Sequence, residues 1–187
     1  MPRELDHLVI AARDLDEGSA WVAQRLGAAP VPGGKHDTMG THNRILSLGP
    51  GRFLEVISVD PAAPAPGRPR WFDMDAPALR ERLARGPALI HWVERTASLE
   101  AELEAYPPGF EIIAFGRGNY RWRMALRPDG ARPAGGTLPT LIQWEGAHPA
   151  DSLPESGVRL ERFTHEKGAL DALFSTPGGE RRISDRE

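Results

Sequence analysis

A chain of 187 residues, 40% hydrophobic and 26% charged, has the size and composition of a globular protein able to bury its own core. A formal net charge of -3 supplies no global field for nucleic acid, and the absence of cysteine excludes disulfides, thiolate zinc sites and cysteine nucleophiles. Any metal would need His, Asp, Glu or neutral oxygen donors. No apolar run approaches the ~20 residues of a bilayer span. The stretch Met1 to Asp6 lacks the apolar core of a secretory signal, so a cytoplasmic location is expected.

In chain order, Leu5 to Ile10 is a short apolar run with β-branched residues and reads as a buried strand. Asp14 followed three residues later by Glu17 marks a helix start, and Gly27 marks its end. A short strand is expected near Ala28 to Val31, and Pro30 to Gly34 reads as a turn-rich loop. Thr41 to Leu48 and Arg52 to Val59 form a hairpin about Pro50-Gly51. Residues 61–87 read as a Pro-rich linker with a short helix, Leu79 to Leu83.

The opening pattern then returns. Ala88 to Val93 is a second apolar strand with a central His, and Thr96 to Leu103 a second helix. Phe110 to Phe115, Tyr120 to Leu126 and Leu138 to Trp144 read as strands, with a Pro/Gly-rich turn at Arg127 to Gly136. His7 and His91 stand 84 positions apart, and the pairs Val9/Val93 and Leu15/Leu99 keep that offset. The expected units are residues 1–60 and 88–146, followed by an extension, 147–187, that either begins a third unit or caps the domain. In it Gly157 to Thr164 reads as a strand and His165 to Phe174 as a helix.

The segments Leu5-Asp6-His7-Leu8-Val9-Ile10 with Arg13-Asp14-Leu15, Gly33-Gly34-Lys35-His36, Gly40-Thr41-His42-Asn43-Arg44 and Arg52-Phe53-Leu54-Glu55-Val56-Ile57 resemble the vicinal-oxygen-chelate superfamily, in particular its glyoxalase-like branch. The resemblance covers roughly residues 3–145 and is fainter in the second half. It implies an α+β fold of two βαβββ modules whose curved mixed sheets enclose a cavity. It also implies a divalent transition metal (Zn, Ni, Co, Fe or Mn) held by the first and fourth strands of each module. Carried onto this chain, that scheme selects His7, Glu55, His91 and Gln143. Such a set suits a borderline ion that chelates a small oxygenated substrate, in isomerase, lyase or dioxygenase-like chemistry. Metal-free members of this fold bind small molecules, which is the alternative. A homodimer is the partner state the resemblance suggests.

Each position also has a plain structural reading. A His in a buried strand is usually a satisfied core residue, and a carboxylate among Phe53, Leu54, Val56 and Ile57 needs a cation or hydrogen bonds. Gln is a weaker donor than Glu, and Glu145 shares the face of Gln143 two residues away, so either faces the site. Glu145, His36 and His42 are the acid–base candidates. Asn43, Arg44, Trp92, Arg123 and Trp144 are the candidates for substrate contact, against turn bonding, solvated faces and core packing. Gly116-Arg117-Gly118 lacks the third glycine of a dinucleotide loop, and no P-loop, Gly-x-Ser-x-Gly or His-Glu-x-x-His motif occurs.

Overall fold

A computed structural model of the chain describes residues 3–166 and 168–186. Strand β1 (Glu4–Ala11) leads into helix α1 (Leu15–Leu26), then β2 (Val31–His36), β3 (Thr41–Ser47) and β4 (Phe53–Val59). Helix α2 (Pro77–Leu83) lies in the connection. The same order repeats in β5 (Ala88–Arg95), α3 (Leu99–Leu103), β6 (Glu111–Arg117), β7 (Tyr120–Leu126) and β8 (Thr140–Trp144). The eight strands form one mixed sheet in the order β2-β3-β4-β1-β5-β8-β7-β6. Its centre is the antiparallel pair β1 and β5, and each of these lies parallel to the last strand of its own unit. The two βαβββ units are thus related about the sheet centre.

Local chemistry sets the ends of α1. The Asp14 carboxylate accepts from the backbone N–H of Glu17 at 2.8 Å, and Gly27 closes the helix at φ 72. Val31 to Gly34 of the expected loop is strand, because β2 pairs with β3 from Val31 to His36. The extension also differs from expectation. Strands β9 (Arg159–Glu166), β10 (Ala169–Thr176) and β11 (Gly179–Ser184) make a three-stranded antiparallel sheet where a helix was expected from His165. Leu170, Ala172 and Phe174 are buried at alternate positions, the period of a strand with one covered face. Lys167, inside that expected helix, lies outside the described residues, as do Met1 and Pro2.

Two apolar layers flank the large sheet. Leu8, Ile10, Leu54, Val56 and Trp92 pack beneath α1 and the C-terminal sheet. On the other face Val9, Ile57, Val93, Trp122 and Ile142 meet Trp71, Phe72 and Met74 of the connecting segment. Helix α3 covers Ala125 and Leu141 through Leu99. Sheet faces alternate residue by residue, so these layers decide which side chains of each strand can reach a cavity. No helix among the described residues is long and apolar enough to cross a membrane.

Candidate functional site

Strand β1 carries a register shift between Leu5 and His7 where it pairs with β5. That bulge lets neighbouring residues cooperate instead of pointing apart. Asp6, fully buried, places Oδ1 2.6 Å from Nδ1 of His7. Its Oδ2 accepts from Trp144 Nε1 and from His148 Nε2, each at 2.9 Å. His148 Nδ1 accepts from the Ala150 N–H at 3.1 Å, which puts the His148 proton on Nε2. Burial alone would raise the Asp6 pKa, but the hydrogen bonds from His148 and His7 outweigh it and hold the carboxyl well below the usual range. An ionised carboxylate only accepts, so His7 donates from Nδ1. His7 Nε2 is left 3.7 Å from Glu55 Oε2, beyond hydrogen-bond distance. The ring of Phe53 stacks on His7 at 4.5 Å and fixes its plane.

Glu55 is 5% exposed, on β4. Its Oε1 accepts from Asn43 Nδ2 at 2.6 Å. Asn43 Oδ1 in turn accepts from the Gly34 N–H at 2.9 Å and from Arg117 Nη1 at 3.2 Å. Glycine leaves the room that both groups occupy. A Cβ on Gly33 would stand 2.1 Å from Asn43 Oδ1, and one on Gly34 2.5 Å from Arg117 Cδ. His36 completes the cluster, with Nδ1 3.0 Å from Thr41 Oγ1 and Nε2 3.4 Å from both Asn43 Nδ2 and Arg117 Nη1. Burial, aided by Arg117, His7 and His42, pushes the His36 pKa down to about 3. It is therefore too weak a base to take up a proton near neutrality.

These groups form one side of a small cavity of about 40 Å³. The rest of its lining is apolar: Phe53 stacks on His7, and Phe72, Trp122, Met124, Ile142 and Trp144 build the wall beyond. The polar residues come mostly from the first unit, with Arg117 reaching over from β6.

The structure brings His7, Glu55, His36, Asn43 and Trp144 together around this cavity and sends the other candidates elsewhere. His91 is fully buried outside its lining, with Nε2 2.9 Å from Thr140 Oγ1 and its ring against Phe72 at 5.3 Å. Burial, with Arg132 and His7 adding to it, pushes the His91 pKa well down. The β8 register is one residue from that expected. Ile142 and Trp144 face the cavity, whereas Gln143 Oε1 turns to α3, accepting from Leu99 N at 3.1 Å and Arg123 Nη2 at 2.8 Å. Glu145 is exposed and lies 3.6 Å from Arg123. Arg123 itself is held by Glu100 at 2.6 Å. Trp92 lies in the layer under the C-terminal sheet, stacked on His165 at 4.5 Å. Arg44 bonds Ser19 and Asp16 beside α1. His42 takes the opposite face of β3 from Asn43, where burial lowers its pKa.

Sequence reasoning passed over Asp6, Arg117, His148 and Phe72. Regular strand alternation puts Asp6 on the face opposite His7, and the bulge in β1 brings the two side chains together. Arg117 stood inside a glycine pattern judged for nucleotide binding alone.

The four-residue metal set does not fit this arrangement. His7 Nε2 and Glu55 Oε2 approach one point, but the second unit presents Ile142 and Trp144 where its donor was expected, and His91 is bonded to Thr140. Among the described residues no group of three or more His, Asp or Glu side chains is placed to hold a metal ion.

A family model described as a glyoxalase-like domain matches residues 5–175. No curated protein matches the chain. Among solved structures, a hypothetical protein from Staphylococcus aureus shares the fold with a TM-score of 0.59 at 14% identity, over 98% of this chain and 85% of that one. Methylmalonyl-CoA epimerase from Mycobacterium tuberculosis aligns with a TM-score of 0.47 at 23% identity, over 80% and 91% of the two chains. A Streptomyces coelicolor methylmalonyl-CoA epimerase variant, in complex with 2-nitronate-propionyl-CoA, aligns with a TM-score of 0.46 at 18% identity, over 78% and 96%.

Proposed function

The chain belongs to the glyoxalase-like domain family, and on that footing we propose that it is an enzyme that moves protons on a small carbonyl compound, with His7 as the base. The observation that supports this is the row Asp6, His7, Glu55. An ionised, buried Asp6 fixes the His7 proton on Nδ1 and leaves the Nε2 lone pair facing the cavity. When Nε2 takes a proton, the imidazolium lies between Asp6 and Glu55, 3.7 Å from the latter. Both carboxylates stabilise that state. Such positioned acid–base groups contribute typically about 10²–10⁴-fold to a rate.

A divalent metal at His7 and Glu55 is the cofactor the family resemblance suggests. The remaining donors of the expected set are turned away, so no step is assigned to it.

The reaction class is isomerisation through an enolised intermediate. Its test is exchange of carbon-bound hydrogen for deuterium in D₂O, followed by proton NMR across a panel of small neutral α-hydroxycarbonyl compounds. Catalysed exchange in the wild type, lost in Glu55→Gln and in His7→Gln, is the expected result. Equal exchange in all three proteins would refute the assignment.

A second reading is capture of a small aromatic or aliphatic ligand without turnover. The apolar wall of Phe72, Trp122 and Trp144 favours it. Ligand binding without exchange in any member of the panel would support that reading instead.

A further inference from the structure

We infer that Arg117 is the resident cation of this site and holds the oxygen of a small, neutral carbonyl substrate as it becomes an enolate. The inference rests on the proton-transfer reading above and names the group that reading lacks. Removing a proton beside a carbonyl leaves negative charge on the oxygen. Two carboxylates, Asp6 and Glu55, already stand next to the base, so an unassisted enolate would form in a negative environment. Among the described residues that line the cavity, Arg117 alone carries a permanent positive charge.

Its placement is built into the chain. Strands β2 and β6 are the two free edges of the sheet, and Arg117 crosses from β6 to β2. Its stem lies in the notch left by Gly34, where a Cβ would stand 2.5 Å from Arg117 Cδ. The guanidinium ends 3.2 Å from Asn43 Oδ1 and 3.4 Å from His36 Nε2. Asn43 also bonds Glu55 at 2.6 Å, so cation and acid–base row are joined through one amide. His36, neutral at physiological pH, accepts from the arginine and does not compete with it for charge.

The step balances without a co-reactant. His7 Nε2 takes the proton from the carbon beside the carbonyl. The C–H electron pair becomes a carbon–carbon double bond, and the carbonyl oxygen takes the negative charge next to Arg117. Return of the proton from His7 to the same carbon regenerates the substrate, with its hydrogen exchanged for one from solvent. Return to the former carbonyl carbon, with the neighbouring hydroxyl proton passing to the enolate oxygen as the new carbonyl forms, gives the isomer. The two carboxylates disfavour an anionic substrate, and the cavity size limits the reacting part to a few heavy atoms.

The test uses the full chain with hydroxyacetone and glyceraldehyde as probes, reading deuterium incorporation at carbon by NMR. Arg117→Ala is expected to reduce exchange by about 100-fold, the scale for loss of one preorganised oxyanion donor. Millimolar guanidinium is expected to restore part of it, and Arg117→Lys to retain more activity than Arg117→Ala. Thermal melting of each variant separates misfolding from lost chemistry, since guanidinium at that concentration rescues a missing side chain and not an unfolded chain. Exchange by Arg117→Ala within about threefold of wild type, with His7→Gln inactive, would overturn the role of Arg117 and leave the His7 reading standing. Wild-type exchange no faster than that of His7→Gln on both probes would overturn the two together.

Discussion

His7 Nδ1 lies 2.6 Å from Asp6 Oδ1, although the two are consecutive residues of one strand. Regular alternation would put them on opposite faces. The bulge in β1 makes the contact, and Asp6 then gathers Trp144 from the second unit and His148 from the extension onto the same carboxylate. One buried charge thereby ties the acid–base row to the far wall of the cavity.

Replacing Asp6 by Asn is therefore predicted to destabilise the protein by about 1–3 kcal/mol at pH 7, because the donors of His7 and His148 lose a charged acceptor. The sign with pH follows from a lowered carboxyl pKa. The Asp6 contribution is fully present above the unfolded carboxyl pKa of about 3.9 and is lost as pH falls below it towards the folded value. Urea unfolding at pH 7 and at successively lower pH should show the gap between wild type and Asp6→Asn closing only below about pH 4.

His36 acts in the same direction, but in a higher pH window. Burial holds its folded pKa down at about 3, against the ordinary histidine value of about 6.5, so between these values the unfolded chain binds a proton that the native one refuses. Stability should fall as pH drops through that window, by up to about 1.4 kcal/mol per unit. Between pH 6.5 and 5, His36→Gln is expected to lose about 2 kcal/mol less than wild type, as read from denaturant midpoints. An unchanged pH slope in the variant would contradict the assignment.

Phe72 and Asp73 adopt φ 60 and 61, backbone that disfavours any residue with a Cβ. The turn is held by Asp73 accepting from Arg132 Nε at 2.6 Å, and it drives the Phe72 ring into the space between the cavity and His91. Phe72→Ala is predicted to destabilise by about 3–5 kcal/mol through lost packing. Phe72→Gly should melt no lower than Phe72→Ala, because glycine relieves the backbone strain that alanine retains.

The glycines of β2 give a graded prediction. At Gly33 a Cβ meets the fixed amide of Asn43, whereas at Gly34 it meets the flexible stem of Arg117. Gly33→Ala should therefore lower stability more than Gly34→Ala. Gly34→Ala should act mainly by displacing the arginine, measured as lost exchange at nearly unchanged melting temperature.

Much of the fold was legible because its signals are local. Asp14 and Gly27 mark α1 by capping chemistry, and the 84-residue offset between His7 and His91 exposes the two units. The C-terminal strand β10 was read as a helix because Leu170, Ala172 and Phe174 are too few to separate a strand period from a helical one. The site was half legible. Strand β8 is covered on both faces, by α3 and by the cavity wall, so Leu141-Ile142-Gln143-Trp144 carries no polar alternation to set its register. Arg117 and Asp6 depend on a sheet-edge crossing and a bulge, which no short-range pattern encodes.

On the proposed reading the chemistry resides on His7 and not on a metal shared with His91. The direct measurement is deuterium exchange on hydroxyacetone, together with metal content by elemental mass spectrometry, in wild type, His7→Gln and His91→Gln. Exchange is expected to be lost in His7→Gln, retained in a folded His91→Gln, and independent of bound metal. Parallel loss of exchange and of one metal equivalent in both variants would contradict it and restore the four-ligand centre.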